Sequence, residues 1–421
     1  MNTLFLSPRS LLLATTCLAL SSGMGAQREI SITAHGAAAN AEPLATKSIQ
    51  SAIDAAAAAG GATVNVPAGV FRTGTIHLKD NVRLFLQKGA VLQGSKELAD
   101  YDGQNWESAL IQIHKARNVS IEGPGTIDGA DLRRPDGEEG FRGFHAIHVR
   151  ESQNIVMRDF TITRAGNYAI LCRETSRTEL ARVIIRGGHD GLHAQACRNF
   201  VVRDCDFRTG DDAIAGCDNH DFEITGCKIN SSCNGFRFGC LNLVVRKCEV
   251  WGPGEFQHQV SSRNNMLAAF IHFSPTDRQP KYPSDNWLIE DLTVRNVESL
   301  YAYDHERGLW QTGQPAKRLT FRKVKATGVS QPLRVLGDKE RQLHLTLDQV
   351  ELALASDVKK PLMIDATRFG SLTLKDVTLR HPGGSPVVHA RDGNIVNLTG
   401  VTVVPNVPKP FHLEQIGHAL P

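Results

Sequence analysis

The sequence predicts an all-β fold, a right-handed single-stranded parallel β-helix with an N-terminal capping helix, and three observations predict it. Asp190-Gly191-Leu192-His193, Asp212-Ala213-Ile214-Ala215 and Asn234-Gly235-Phe236-Arg237 repeat one pattern at 22-residue steps. His145-Ala146-Ile147-His148 and Tyr168-Ala169-Ile170-Leu171 continue it more loosely upstream. A fixed period of about 20–25 residues marks a solenoid in which each repeat is one coil stacked on the last. Short alternating strand patterns recur with a polar residue, often Asn, in front: Asn118-Val119-Ser120-Ile121, Asn154-Ile155-Val156-Met157, Asn199-Phe200-Val201-Val202. After residue 60 there is scarcely any helical periodicity. A β-sandwich, the competing architecture, needs no fixed period.

Residues 1–26 read as a secretory signal: Arg9 precedes the apolar run Leu11 to Leu20, and small residues follow at Gly23-Met24-Gly25-Ala26. That run is too short to span a bilayer. The expected mature chain, 27–421, is a single β-helix domain, secreted or periplasmic. Thr46 to Ala59 reads as the capping helix, with Ile49 and Ile53 on one face and Gly60-Gly61 stopping it. Strand patterns follow at Ala62–Val66, Thr75–Leu78 and Val82–Leu86.

The coil phrase returns at Phe222-Glu223-Ile224, Leu243-Val244-Val245, Trp287-Leu288-Ile289, Leu319-Thr320-Phe321, Leu343-His344-Leu345 and Leu372-Thr373-Leu374. The step from 242 to 286 reads as two coils. Eight cysteines follow the signal, and Cys205, Cys227 and Cys248 hold equivalent positions of successive coils. Equivalent positions point the same way, which favours an inward stack of free thiols over bridges. No CxxC pair suggests metal, and neither a metal nor a cofactor is expected. The segment 252–284 breaks the rhythm and reads as an irregular functional loop beside the polar column. Net charge is +3 with no Lys/Arg block, which argues against a nucleic-acid partner; no membrane partner is expected, and the chain reads as a monomer.

If the coils stack about 4.8 Å apart, His145, Tyr168, Asp190, Asp212 and Asn234 form one polar column. Asp211 adds a third carboxylate in the turn Thr209-Gly210-Asp211-Asp212. Three adjacent carboxylates cannot all ionise freely, so one retains a proton while another stays charged. Glycosidic bond cleavage needs that division: an acid for the leaving oxygen and a base for water. Taken alone, Gly-Asp-Asp is also an ordinary turn.

These motifs resemble those of glycoside hydrolase family 28, the polygalacturonase-like enzymes of the pectin-lyase-like β-helix superfamily. The similarity includes Ser48-Ile49-Gln50-Ser51-Ala52-Ile53-Asp54, Val66-Pro67-Ala68-Gly69, Thr73-Gly74-Thr75-Ile76-His77-Leu78, Gly188-His189-Asp190-Gly191 and an intact Gly210-Asp211-Asp212. The resemblance implies a secreted, pectin-degrading hydrolase with Asp211 as general acid and Asp190 and Asp212 activating water for inversion. The family's Gly-His-Gly motif falls at Cys233-Asn234-Gly235, without its histidine, and its Arg-Ile-Lys motif has no counterpart. The substrate implied is a pectic or related, uronate-containing polysaccharide or oligosaccharide.

His145, His189, His193 and His258 are expected to hydrogen-bond sugar hydroxyls, alongside Tyr168 and Asn234. Arg237 shares a column with His193 and is expected to pair with a sugar carboxylate or with the aspartates. Tyr168, Trp251, Tyr282, Trp287 and Trp310 are candidate stacking platforms. Two other readings of the same residues are a lyase or epimerase, in which the aspartates hold Ca²⁺, and a non-catalytic glycan-binding β-helix.

Overall fold

The coil repeat is the architecture. A computed structural model describes residues 28–40, 42–103, 105–307 and 310–420, so the expected signal, 1–26, lies outside the described residues. The strands, from Glu29–Ser31 to Phe411–Leu420, join one hydrogen-bonded network, and every pairing between them is parallel. Three sheets run the length of a right-handed β-helix. One of them, called here the groove sheet, stacks His145–Arg150, Ile170–Arg173, Leu192–Gln195, the start of Ile214–Thr225 and the start of Asn234–Arg246. It continues through Met266–His272, Val297–Asp304, Leu333–Leu336 and the strands beyond.

The recurring polar residue has a conformational cause. Asn81, Asn118, Asn154, Asn199, Asp221, Asn242 and Asn286 all sit at φ between 52° and 62°, a left-handed turn that Asn and Asp tolerate better than other side chains. Their side chains stack and bond down the turn: Asn118 donates to Asn81 at 2.9 Å, Asn154 to Asn118 at 2.8 Å and Asn286 to Asn242 at 2.9 Å. Inside, matching apolar positions also stack, with Phe236 and Phe270 face to face at 4.5 Å and Phe200 on Phe222 at 4.9 Å. The helix Thr46–Ala58 covers the open end of the coil with Ile49, Ala52, Ile53 and Ala56. All eight described cysteines are free and buried, as the stacked-thiol reading expects; the amide of Cys227 donates to Cys248 Sγ at 3.4 Å.

Two readings change. The 44 residues from Asn242 to Asn286 form one coil, not two, because Leu241 pairs directly with Asp285. The segment 252–284 is not wholly irregular either: Met266–His272 is a strand of the groove sheet, with enlarged turns on both sides of it. Spacing alone cannot separate two short coils from one long one.

Candidate active site

Backbone hydrogen bonds fix the polar column. The amides of Ala146, Ala169, Gly191 and Ala213 donate to the carbonyls of Tyr168, Asp190, Asp212 and Asn234, placing those residues on successive rungs. Asp211 joins from its turn, and carboxylate oxygens of Asp190, Asp211 and Asp212 lie within 4.8 Å of one another. Glycine is required beside them: a Cβ on Gly210 would come within 2.4 Å of the Gly188 carbonyl oxygen and 2.5 Å of that of Gln257. The segment carrying His258 can therefore lie against the Gly-Asp-Asp turn.

Two guanidinium groups bracket the carboxylates. Arg142 Nη2 bonds Asp211 Oδ2 at 2.5 Å, its Nη1 lies 3.7 Å from Asp190 Oδ1, and its Nε bonds Glu139 at 2.6 Å. Arg237 Nε donates to Asp212 Oδ2, whose other oxygen accepts from Asn234 Nδ2 at 2.7 Å. His258 Nε2 stands 3.6 Å from Asp211 and its Nδ1 bonds Ser261 at 2.7 Å.

Charge follows from these contacts. Burial pushes the Asp190 carboxyl well up, the charges of Asp211 and Asp212 push the same way, and Arg142 and Arg237 oppose them. Burial also raises Asp212, against the pull of Arg237. Burial acts on Asp211 too, yet the His258 ring and Arg142 outweigh it and hold that carboxyl far below its ordinary range. The resemblance gives Asp211 the acid's proton; in this arrangement His258 and Arg142 disfavour a proton on Asp211, while burial favours one on Asp190. Asp190 Oδ2 has no hydrogen-bond partner among the described residues.

Several expected sugar contacts are packed inward. Tyr168 stacks on His193 at 4.9 Å with planes 6° apart, His145 lies 5.1 Å from Tyr168, and Trp106 closes over both at 5.0 and 5.8 Å. His145, Tyr168 and His193 are thus buried and fill this end of the groove instead of lining it. An imidazole stacks there as readily as a phenol, which column position alone does not reveal. His189 is buried as well, under Phe141 at 5.9 Å, and burial followed by the charge of Arg142 lowers it to about 3. Of the proposed platforms, Trp287 is core, Trp251 lies under Arg208 and Tyr282 leans on His220, whereas Trp310 is 51% exposed.

Sequence reasoning missed Arg142, Trp106 and Phe141, and placed Arg278 only within the 252–284 loop, without a role. Arg142 sits in an insertion detectable as the 36-residue step from Asn118 to Asn154. Arg278, from the turn after Met266–His272, donates from Nη1 to His193 Nε2 at 2.9 Å and forms no ion pair among the described residues. It stands where no arginine of the column reaches, because the rung between His193 and Arg237 carries Ala215.

Comparison with known proteins points the same way. Residues 107–266 match the family model described as "Right handed beta helix region". An exo-poly-alpha-D-galacturonosidase of Dickeya chrysanthemi is 28% identical over 249 residues, covering 44% of this chain and 41% of that protein. The chain thus spans less than half the length of the curated relatives it matches. The family 28 exopolygalacturonase of Yersinia enterocolitica superposes with a TM-score of 0.61 at 17% identity, covering 93% of this chain and 78% of its own. The Streptococcus pneumoniae surface adhesin PfbA gives 0.62 at 13% identity, covering 93% and 100%.

Proposed function

The chain is a right-handed parallel β-helix whose sequence and fold resemble the family 28 polygalacturonases, and from that kinship we propose that it is an exported glycoside hydrolase of pectic, uronate-containing glycans. The observation that carries the reading is the meeting of three carboxylates within 4.8 Å between two guanidinium groups. Asp211 is the most accessible of the three, its side chain 14% exposed against 2% for Asp190 and 1% for Asp212. It is therefore the carboxyl that meets the glycosidic oxygen. For that step Asp211 must carry a proton, which His258 and Arg142 oppose in the closed site, so sugar binding has to loosen those contacts. Asp211 then protonates the departing oxygen. Asp190 and Asp212, both ionised, accept a proton from the attacking water; inversion at the anomeric centre is what the resemblance implies, whereas carboxylates this close read as retaining by separation alone.

Arg278 supports a uronate substrate: it is a cation beside the catalytic column with no carboxylate partner among the described residues. The block of Trp106, Tyr168, His145 and His193 closes the upstream end of the groove, which favours removal of residues from a chain end. We assign the segment 1–26 to export.

Purified chain incubated with polygalacturonate and short galacturonides tests this. New reducing ends without an unsaturated, ultraviolet-absorbing product are expected, with the first-formed anomer inverted by NMR. Asp211→Asn should lower kcat by ~10²–10⁴-fold, the size of one general acid's contribution, while sugar binding persists. Unsaturated product would make it a lyase. Binding without turnover in the unsubstituted chain would make it a glycan-binding β-helix, a reading that the near-complete closure of Asp190 and Asp212 also supports.

A further inference from the structure

The groove sheet does not stop at the carboxylates, and its next outward features are basic. Register carries the column of Arg237 through Ile271 and Ala302 to Arg334, three rungs or about 14 Å further along. Two residues on from Arg334 along the same strand, the register runs from Leu336 through Thr367 to Arg391, two rungs or about 10 Å beyond. Leu333, Val335, Ile364, Ala366, Val388 and Ala390 alternate with these positions and are buried, so Arg334 and Arg391 both face outward. They line one cavity of about 540 Å³.

The acids of that cavity are already engaged. Glu306 bonds Arg368 at 2.7 Å, Asp365 bonds His389 at 3.1 Å, and Asp392 pairs with Arg341. Arg334 and Arg391 are exposed and form no ion pair among the described residues. Between them and the catalytic column stands exposed Trp310, 5.9 Å from Phe273 and with Arg237 5.3 Å from its ring. An aromatic face followed by two unpaired guanidinium groups, on a straight path from a groove closed at its other end, fits a chain of sugars bearing carboxylates.

We propose that the Arg334–Arg391 cavity is a distal anchoring site for the carboxylates of an acidic polysaccharide whose end lies at Asp211. The proposal rests on the hydrolase reading for the class of glycan and not for the site itself. The anchor acts on long chains only, because a disaccharide at Asp211 does not span the rungs to Arg334. It adds affinity without touching the bond that breaks.

The test is calorimetric binding of polygalacturonate and of digalacturonate to the full Asp211→Asn chain, with and without Arg334→Gln/Arg391→Gln. A second pair, Arg117→Gln/Arg198→Gln, removes the same charge from exposed positions on a different sheet. Expected is a roughly five- to ten-fold loss of polymer affinity, the size of two solvent-exposed ion pairs, with digalacturonate unchanged and the second pair neutral. Unaltered polymer affinity, equal losses for polymer and dimer, or equal losses from the control pair would overturn the anchor, as would failure of the parent chain to bind polygalacturonate. If the chain binds polymer through Arg334 and Arg391 but hydrolyses nothing, the hydrolase reading falls and the anchor stands. If it hydrolyses polygalacturonate and the Arg334/Arg391 pair is neutral, the anchor falls and the hydrolase reading stands.

Discussion

Replacing Arg142 by Gln isolates the contact on which the charge pattern of the site depends. Arg142 is 3% exposed, bonds Asp211 at 2.5 Å and Glu139 at 2.6 Å, and lies 3.7 Å from Asp190. Removing one partner of a buried pair leaves an uncompensated charge and costs about 3–5 kcal/mol. That cost depends on pH, and its sign is fixed. In the parent, the Asp211 carboxyl is held down by Arg142 and His258 against burial. Its stabilisation is complete above the unfolded value near ~3.9 and is lost as pH falls through the folded one. In the Arg142→Gln chain only His258 still opposes burial, so Asp211 rises and is neutralised at a higher pH than in the parent. The gap between parent and variant is therefore widest near pH ~7 and shrinks as pH falls toward about 4. Chemical denaturation across that range, read as the difference between the two chains, measures it. Histidines away from Arg142 move both curves alike and cancel, while His189, relieved of the charge of Arg142, rises and narrows the gap in the same direction as Asp211. Equal losses at both ends would show that Arg142 contributes packing, and the account of the carboxylates would be wrong.

Three further outcomes follow from the same contacts. His148 is lowered by burial to about 4, and His189 and His272 by burial to about 3, so each is neutral in the fold and charged once unfolded. Stability should fall by about 4 kcal/mol per pH unit below about 6.5, from these three together, and Asp190 and Asp212, raised by burial, offset part of it; a flat denaturation midpoint between pH 6.5 and 5 would contradict this. Asn154→Ala puts at φ 58° a residue without the tolerance of Asn for the left-handed turn and removes the bonds to Asn118 and Arg177. It should cost about 2–3 kcal/mol, with Asn154→Gly recovering the backbone share of roughly 1 kcal/mol; identical losses for both would remove backbone strain from the explanation. The chain lacking residues 1–26 should titrate eight thiols when unfolded and show no change in Tm with reductant; fewer thiols would mean bridges.

What was legible in the sequence is what repeats. A left-handed turn tolerates few residue types, so the Asn ladder marked its own rungs, and residues one coil apart became neighbours without further information. Asp190, Asp212 and Asn234 were found that way, and Asp211 by its glycine-led turn. The coil from Asn242 to Asn286 was misjudged because a period reports length, and one long turn has the length of two short ones. Packing against a column is invisible as well: His145 and His193 hold the expected positions, yet Trp106, from an insertion with no period, turns them into a stacked core.

The residues that close the site share that origin. Arg142, Phe141, His258 and Arg278 all come from segments that depart from the coil rhythm, and each lands on a residue of the regular coils beside the column, Asp211, His189 or His193. The scaffold fixes where carboxylates meet, while the insertions decide which of them is charged and what reaches them. A chain with the same ladder and a shorter turn at 129–143 would therefore keep Asp190, Asp211 and Asp212 in place but leave Asp211 without its guanidinium, and so hold its proton on a different carboxyl. Specificity and proton placement in such a fold belong to the aperiodic turns, and that is where substitutions should change chemistry without changing the coil.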